Sequence, residues 1–357
     1  MSVANLLLTL LVTQIVWTLL VRWSVKKITC YRKFSRPTAF EGESGELVEV
    51  VRNDGPVVIP WLRVESVIPR GLQLGKQNTV ELTDDVFYRS CFTMMPYQQV
   101  RRRHYVKFLR RGAYNLGNAS LAIGDLLGWT RFFKEQQLSC PVTVYPRIPD
   151  MDELPFPLSN MLGQLATKRQ LLSDPFLVRG IREYQPGDLI RDIHWSATAR
   201  TEELQVKLHD NTVSPRLLVV INAQGSDGQW DNYVRSEFAQ LLEEEIRLAA
   251  AMCVYGLRGG LAVGFAANMP REHKGQSTVI LPKEGIAWEE TLLDSYARLQ
   301  CHCSEKFVTF LDTLQTCHDM DILVLSPYDS DSVQKGLEKL RAQGNQVTFY
   351  RMEGGAS

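Results

Sequence analysis

Between Arg179 and Arg200 the chain concentrates side chains that can pair, bind or position other groups. They are Arg179, Arg182, Glu183, Asp188, Arg191, Asp192 and Arg200, interleaved with Tyr184, Ile193, His194 and Trp195. A guanidinium is a planar fork of donors matched to a carboxylate, so arginines this close to acids form bidentate pairs. Two readings follow. In the first, the charges satisfy one another: Arg191 and Arg200 pair with Asp188, Glu183 or Asp192, and Trp195 packs beneath. In the second, they face outward as a recognition surface for a protein partner or an anionic ligand. The first is favoured, because a buried charge left unpaired costs several kcal/mol. Pro186-Gly187-Asp188 marks a tight turn. His194 has Asp192 nearby but no nucleophile at a recognised spacing, so it reads as structural and not as a general base.

Other clusters give little chemistry. Cys301, Cys303, Cys317 and His318 lack the spacing of the usual zinc sets, and residues two apart on a helix do not share a face. There is no G-x-S-x-G, H-E-x-x-H or G-x-x-x-x-G-K-[ST]. The expectation is therefore a protein that is not an enzyme and carries no cofactor.

The elements that must position the Arg/Asp stretch can be read from pattern. Of 357 residues, 40 are basic and 40 acidic, so the basic excess of a nucleic-acid binder is missing. The 7 cysteines are scattered and odd in number, which fits a reducing compartment. Arg101-Arg102-Arg103-His104 reads as a solvated or edge-strand face. From Val3 to Val21 there is no charge, and helical rise over that run gives about 28 Å. Arg22, Lys26, Lys27, Arg32, Lys33 and Arg36 follow it. The expectation is a transmembrane anchor within 1–27: single-pass in the cell membrane, N-terminus outside, body cytoplasmic.

Residues 28–147 alternate over short runs between turn signals such as Asn53-Asp54-Gly55-Pro56, which predicts an all-β sandwich of immunoglobulin-like type. Residues 148–214 form a proline-broken connector and the Arg/Asp stretch. Residues 215–357 alternate buried apolar strands with helices: Arg216 to Ile221, Leu261 to Ala267, Asp321 to Ser326 and Gln346 to Tyr350 as strands, with helical patterns between. That predicts an α/β domain with a mostly parallel sheet, whose binding loops follow Ile221 and Ala267.

Arg182, Tyr184, Gly187, Asp188, Arg191, Ile193, His194, Trp195, Thr198, Ala199 and Arg200 stand in register with a pattern of the form R-x-Y-x-x-G-D-x-x-R-x-I-[DH]-W-x-x-[ST]-A-R. This strongly resembles the signature of the bacterial domain-of-unknown-function 58 family. Arg110-Arg111-Gly112-Ala113-Tyr114, Gly124-Asp125-Leu126-Leu127-Gly128 and Val144-Tyr145-Pro146-Arg147 are similar to it as well. The resemblance implies a membrane-anchored protein whose β-sandwich precedes a von Willebrand factor A-like domain. It also implies an adaptor role beside a MoxR-type AAA+ ATPase, with no enzymatic reaction. Metal-binding von Willebrand domains place D-x-S-x-S after the first strand. Here Asn222, Gln224 and Ser226 occupy those positions and only Ser226 matches, with Asp227 adjacent. The expectation is a degenerate loop without metal; a Mg²⁺-dependent binding domain is the alternative.

Overall fold

The computed structural model describes residues 3–75, 79–82, 85–124, 131–172, 178–185, 188, 190–209, 215–229, 236–272 and 275–352. The chain divides into two compact units, Met1–Arg147 and Ile148–Ser357.

The first unit opens with a helix, α1 (Val3–Val25), where the uncharged run lies. Among the described residues, no helix is long and apolar enough to cross a membrane. This overturns the expected transmembrane anchor, and with it the single-pass topology, the outside N-terminus and the cytoplasmic body. Asn5, Thr9, Thr13, Gln14 and Thr18 interleave with the apolar residues of the run, and Arg22 falls in the last turn of the helix. Thr13 Oγ1 turns back to the Thr9 carbonyl at 2.9 Å.

The rest of this unit is mostly β-strand. The strands are β1 (Ile28–Phe34), β2 (Thr38–Phe40), β3 (Ser44–Asn53), β4 (Ile59–Ile68), β5 (Leu72–Leu74), β6 (Thr79–Leu82), β7 (Asp85–Met94), β8 (Gln99–Phe108), β9 (Gly112–Asn115), β10 (Asn118–Gly124), β11 (Arg131–Gln137) and β12 (Pro141–Tyr145). They form sheets ordered β1-β3-β8-β5, β11-β10-β4-β7-β6 and β2-β12-β9. Strict alternation drives this. In β1, Ile28, Cys30, Arg32 and Phe34 are buried while the residues between them are exposed. One core cluster joins Ile28 and Val51 of the first sheet to Leu62, Phe92 and Leu121 of the second.

The second unit holds α2 (Phe156–Leu172), β13 (Val178–Glu183), α3 (Trp195–Thr201), β14 (Gln205–His209), β15 (Arg216–Ile221), α4 (Ser236–Arg258), β16 (Ala262–Pro270), β17 (Ser277–Lys283), α5 (Ile286–Ala297), α6 (Phe307–Thr313), β18 (Asp321–Ser326), α7 (Asp331–Ala342) and β19 (Gln346–Arg351). Its main sheet runs β17-β16-β15-β18-β19. β15 pairs in parallel with β16 and β18, and β18 with β19, but β17 pairs antiparallel with β16. The expected mostly parallel sheet is thus corrected to a mixed one. The link from Pro270 to Ser277 is too short for the crossover that a parallel neighbour needs. Gly264 makes the close approach possible: a Cβ there would overlap the Ile280 carbonyl and the backbone of Leu281 and Pro282. Core fills both faces of this sheet. Leu217, Val219 and Ile221 point toward α4, while Leu218 and Val220 point toward α6 and α7.

Candidate functional site

The Arg/Asp stretch folds as a small unit of its own. β13 and β14 pair antiparallel, with Arg182 opposite Val206 and Glu183 opposite Gln205. The Tyr184 amide continues the ladder to the Leu204 carbonyl at 2.8 Å, and the His194 amide donates to the Gln205 carbonyl at 2.7 Å. Ile193 bridges to Val206, and both are buried. His194 is the N-cap of α3: its Nδ1 accepts from the Ala197 amide at 3.1 Å, and Ser196 Oγ lies at the same distance. An acceptor is what this position requires, so an aspartate serves as well as a histidine. Thr198 Oγ1 accepts from the Gln205 amide at 3.0 Å and ties the helix to the hairpin. Glu202 closes α3 at a φ of 61° with its amide on the Thr198 carbonyl.

One ion pair of the stretch joins two residues that the sequence reading did not pair. Asp188 is held by Arg182, with Nη1 to Oδ2 at 2.8 Å and Nη2 to Oδ1 at 2.7 Å. The Gln185 amide adds a bond to Asp188 Oδ2 at 2.8 Å. The Arg182 fork and that amide hold the Asp188 carboxyl below its usual range. Arg182 Nη1 also reaches the Glu183 carbonyl at 2.9 Å, so one guanidinium pins both ends of the turn. Gly187 and the Arg191 side chain lie outside the described residues, as do Pro186 and the 125–128 turn. Arg200 is exposed on α3. Trp195 does not pack beneath the pair: it is 64% exposed, and Ile190 is 74% exposed. The reason is geometric. Ile193 takes the inward position against Val206, and Trp195, two residues later at the first turn of α3, faces away from it.

The loop after β15 is latched by its own polar groups. Asn222 Nδ2 donates to Ser326 Oγ at 2.9 Å, and its Oδ1 accepts from the Gln224 amide at 3.0 Å. Gln224 Oε1 accepts from the Phe307 amide at 3.0 Å. Asp227 receives the Ser332 hydroxyl at 2.7 Å, and the Ser226 carbonyl accepts from the Gln229 amide. Among the described residues, no group of three or more His, Cys, Asp or Glu is placed to hold a metal ion. The donor set does not suit Mg²⁺: two of the three aligned positions are neutral amides already engaged elsewhere, and the nearby carboxylate is committed to Ser332.

Burial works against thiolate formation at Cys253 and Cys303. Burial pushes the Cys303 thiol up to about 11 and Cys253 up to about 12. Cys303 donates to the Ala223 carbonyl at 3.2 Å, and Cys301 to Glu243 at 3.2 Å.

One polar constellation escaped the sequence reading. Inside the first unit, Arg32 Nε donates to Glu49 Oε1 at 2.9 Å, with Nη2 on the same oxygen and Nη1 on Ser66. Glu49 Oε2 lies 3.4 Å from His104 Nε2, and His104 Nδ1 lies 2.9 Å from the Tyr88 hydroxyl. Burial pushes the Glu49 carboxyl up, but the His104 bond and the Arg32 charge outweigh it and hold it at about 2. The signal was the alternation itself. Arg32 shares a face with Cys30 and Phe34, and His104 shares one with Val106 and Phe108. Arg101, Arg102 and Arg103 are exposed as expected; His104 turns inward. Ser66 also lines an open cleft of about 280 Å³ with Glu65, Asn118, Ser120, Glu135 and Gln136. Among the described residues, no His or Cys lines it.

Residues 180–284 match the family model described as Protein of unknown function DUF58, which supports that family for the stretch carrying the signature. No curated protein matches the chain. Among solved structures, the chain is similar to the CARDB domain of a Pyrococcus furiosus protein, with 9% identity over 33% of this chain and 93% of that one, at a TM-score of 0.22. It is also similar to the native conformation of Escherichia coli alpha-2-macroglobulin, with 16% identity over 34% of this chain and 7% of that one, at 0.25. A third is a protein of unknown function from Porphyromonas gingivalis W83, with 13% identity over 36% and 51%, at 0.24.

Proposed function

We propose that this chain is a non-enzymatic adaptor that binds a protein partner through the hairpin and short helix of its signature. The observation that carries this reading is the 64% exposure of Trp195 on an element braced by the Arg182–Asp188 pair and the His194 cap. An exposed tryptophan on a rigid support is a good interface anchor, because it buries a large area at little entropic cost. Ile190, five residues before it, Ile181 and Leu204 add exposed apolar surface from the same small element. The loop after Ile221 is a weaker candidate, since its side chains are engaged within the fold. The family resemblance points to a MoxR-type AAA+ ATPase as the partner.

Surface plasmon resonance of the full chain against a purified MoxR-type ATPase tests this. Trp195→Ala weakens binding by about tenfold or more, at an unchanged melting temperature. Equal affinity of the variant and the parent chain would remove Trp195 as the anchor.

A further inference from the structure

The run Arg101-Arg102-Arg103 lies on β8, and alternation divides it. Arg102 turns toward the second sheet of the sandwich. Its Nη2 donates to the Cys91 carbonyl at 2.8 Å, and its guanidinium lies 4.1 Å from the centre of the Phe92 ring. Arg101 and Arg103 project from the other face, opposite Val50 and Val48 of β3, and both are exposed. Among the described residues, neither has an ion-pair partner. The acids of β3 and its turn are engaged or turned elsewhere. Glu49 holds Arg32 inside the sandwich, Asp54 pairs with Arg52 at 2.6 Å, and Glu46 lies opposite Tyr105.

This segment is also a sheet edge. β5 pairs with β8 only from Val106 to Phe108, and the Gly75 amide reaches the Tyr105 carbonyl at 3.0 Å. Among the described residues, Gln99 to His104 have β3 as their one strand neighbour. Two bonds fix the direction of the backbone groups. The Tyr105 carbonyl points away from β3, to Gly75, while the Gln98 carbonyl accepts the Asn53 amide on the β3 side at 2.9 Å. Alternate residues of a strand aim their amide and carbonyl at the same edge, so Arg101 and Arg103 present both groups to the open side. An edge of this kind is a template for a further strand.

We propose that the 99–104 edge of β8 receives an extended acidic peptide segment as an added strand. The charges choose the occupant. A second copy docked edge to edge would set arginine against arginine, and like charges directly opposite are destabilising. In an acidic strand, carboxylates opposite Arg101 and Arg103 share their face, with Cβ atoms about 5 Å apart, while the main chain pairs with the open amides and carbonyls. This edge belongs to the first unit and does not rest on the Trp195 reading.

Fluorescence anisotropy of the full chain with labelled eight-residue peptides tests it. A peptide alternating glutamate and threonine binds. Its lysine–threonine counterpart, and a form methylated at every backbone nitrogen, each bind about tenfold more weakly or worse. Hydrogen exchange in 99–104 slows when the glutamate peptide is added. Arg101→Glu with Arg103→Glu, at an unchanged melting temperature, reverses the preference, so that the lysine peptide binds the more tightly. No binding of the glutamate peptide, equal binding of the two charge types, or a methylated peptide as tight as its parent would overturn the added strand. Protection of 99–104 by an oligothymidylate but not by the glutamate peptide would assign the arginines to nucleic acid and overturn it as well.

Discussion

The imidazole Nδ1 of His194 accepts the backbone amide of Ala197 at 3.1 Å, so the most enzyme-like side chain of the signature is a helix cap. α3 is only seven residues long. A helix that short does not persist without tertiary support, and the cap, the Thr198 tie and the Ile193–Val206 bridge supply it. The support holds the backbone that displays Trp195.

His194→Ala removes the acceptor and costs about 1 kcal/mol of stability, whereas His194→Asp restores it and costs a few tenths or less. Thermal melting of the two variants checks this. A loss in the aspartate variant as large as in the alanine variant would show that the ring is needed for something other than the cap.

Arg182 and Asp188 form a bidentate pair, so Arg182→Lys loosens the turn although it keeps the charge. Removing both side chains does little more harm than removing either alone. Because the Asp188 carboxyl is held below its usual range, its contribution is present above about pH 4 and lost as acid drives the pH through the lowered folded value. Melting curves of parent, single and double variants from neutral to acid pH read out both effects. Additive losses would mean that the two side chains act independently.

The first unit depends on the pair Arg32–Glu49. Glu49→Gln leaves the Arg32 charge buried without its counter-ion and costs about 3–5 kcal/mol, while replacing both residues with apolar ones of similar size restores most of that. The carboxyl of Glu49 lies at about 2, so the stability that it lends is full above about pH 4.3 and falls away only as pH approaches that folded value. Urea titration of the three proteins measures the costs, and the same titration at acid pH measures the window. A Glu49→Gln protein as stable as the parent would contradict the pairing.

Much of the fold was legible because period is a direct consequence of burial. The 28–147 segment alternates, and its buried positions gather into core clusters. The strands at Arg216–Ile221 and Asp321–Ser326 are continuous apolar runs because helices cover both their faces. The edge strand Ser277–Lys283 was not legible. Half of it faces water, with Val279 and Leu281 exposed, and it carries a proline, so it has neither a buried-strand run nor a clean alternation. At the signature, the charged residues were legible and the Arg182–Asp188 pair was not. Proximity in sequence suggested Arg191 or Arg200 for Asp188. Arg182 instead reaches Asp188 six residues on, where the Asp188 amide bonds to the Gln185 carbonyl. Arg32 of β1 and Glu245 of α4 both fall at buried positions. A charged residue at an apolar period looks like an interruption until the structure shows whether it has a partner.

Hydrogen exchange on the full chain, alone and in complex with a purified MoxR-type ATPase, tests the central claim most directly. The account predicts that slowed exchange on binding is concentrated at 190–204, around Trp195, with the 222–229 loop little changed. A complex that forms with full exchange at 190–204 and protection elsewhere in the chain would contradict it.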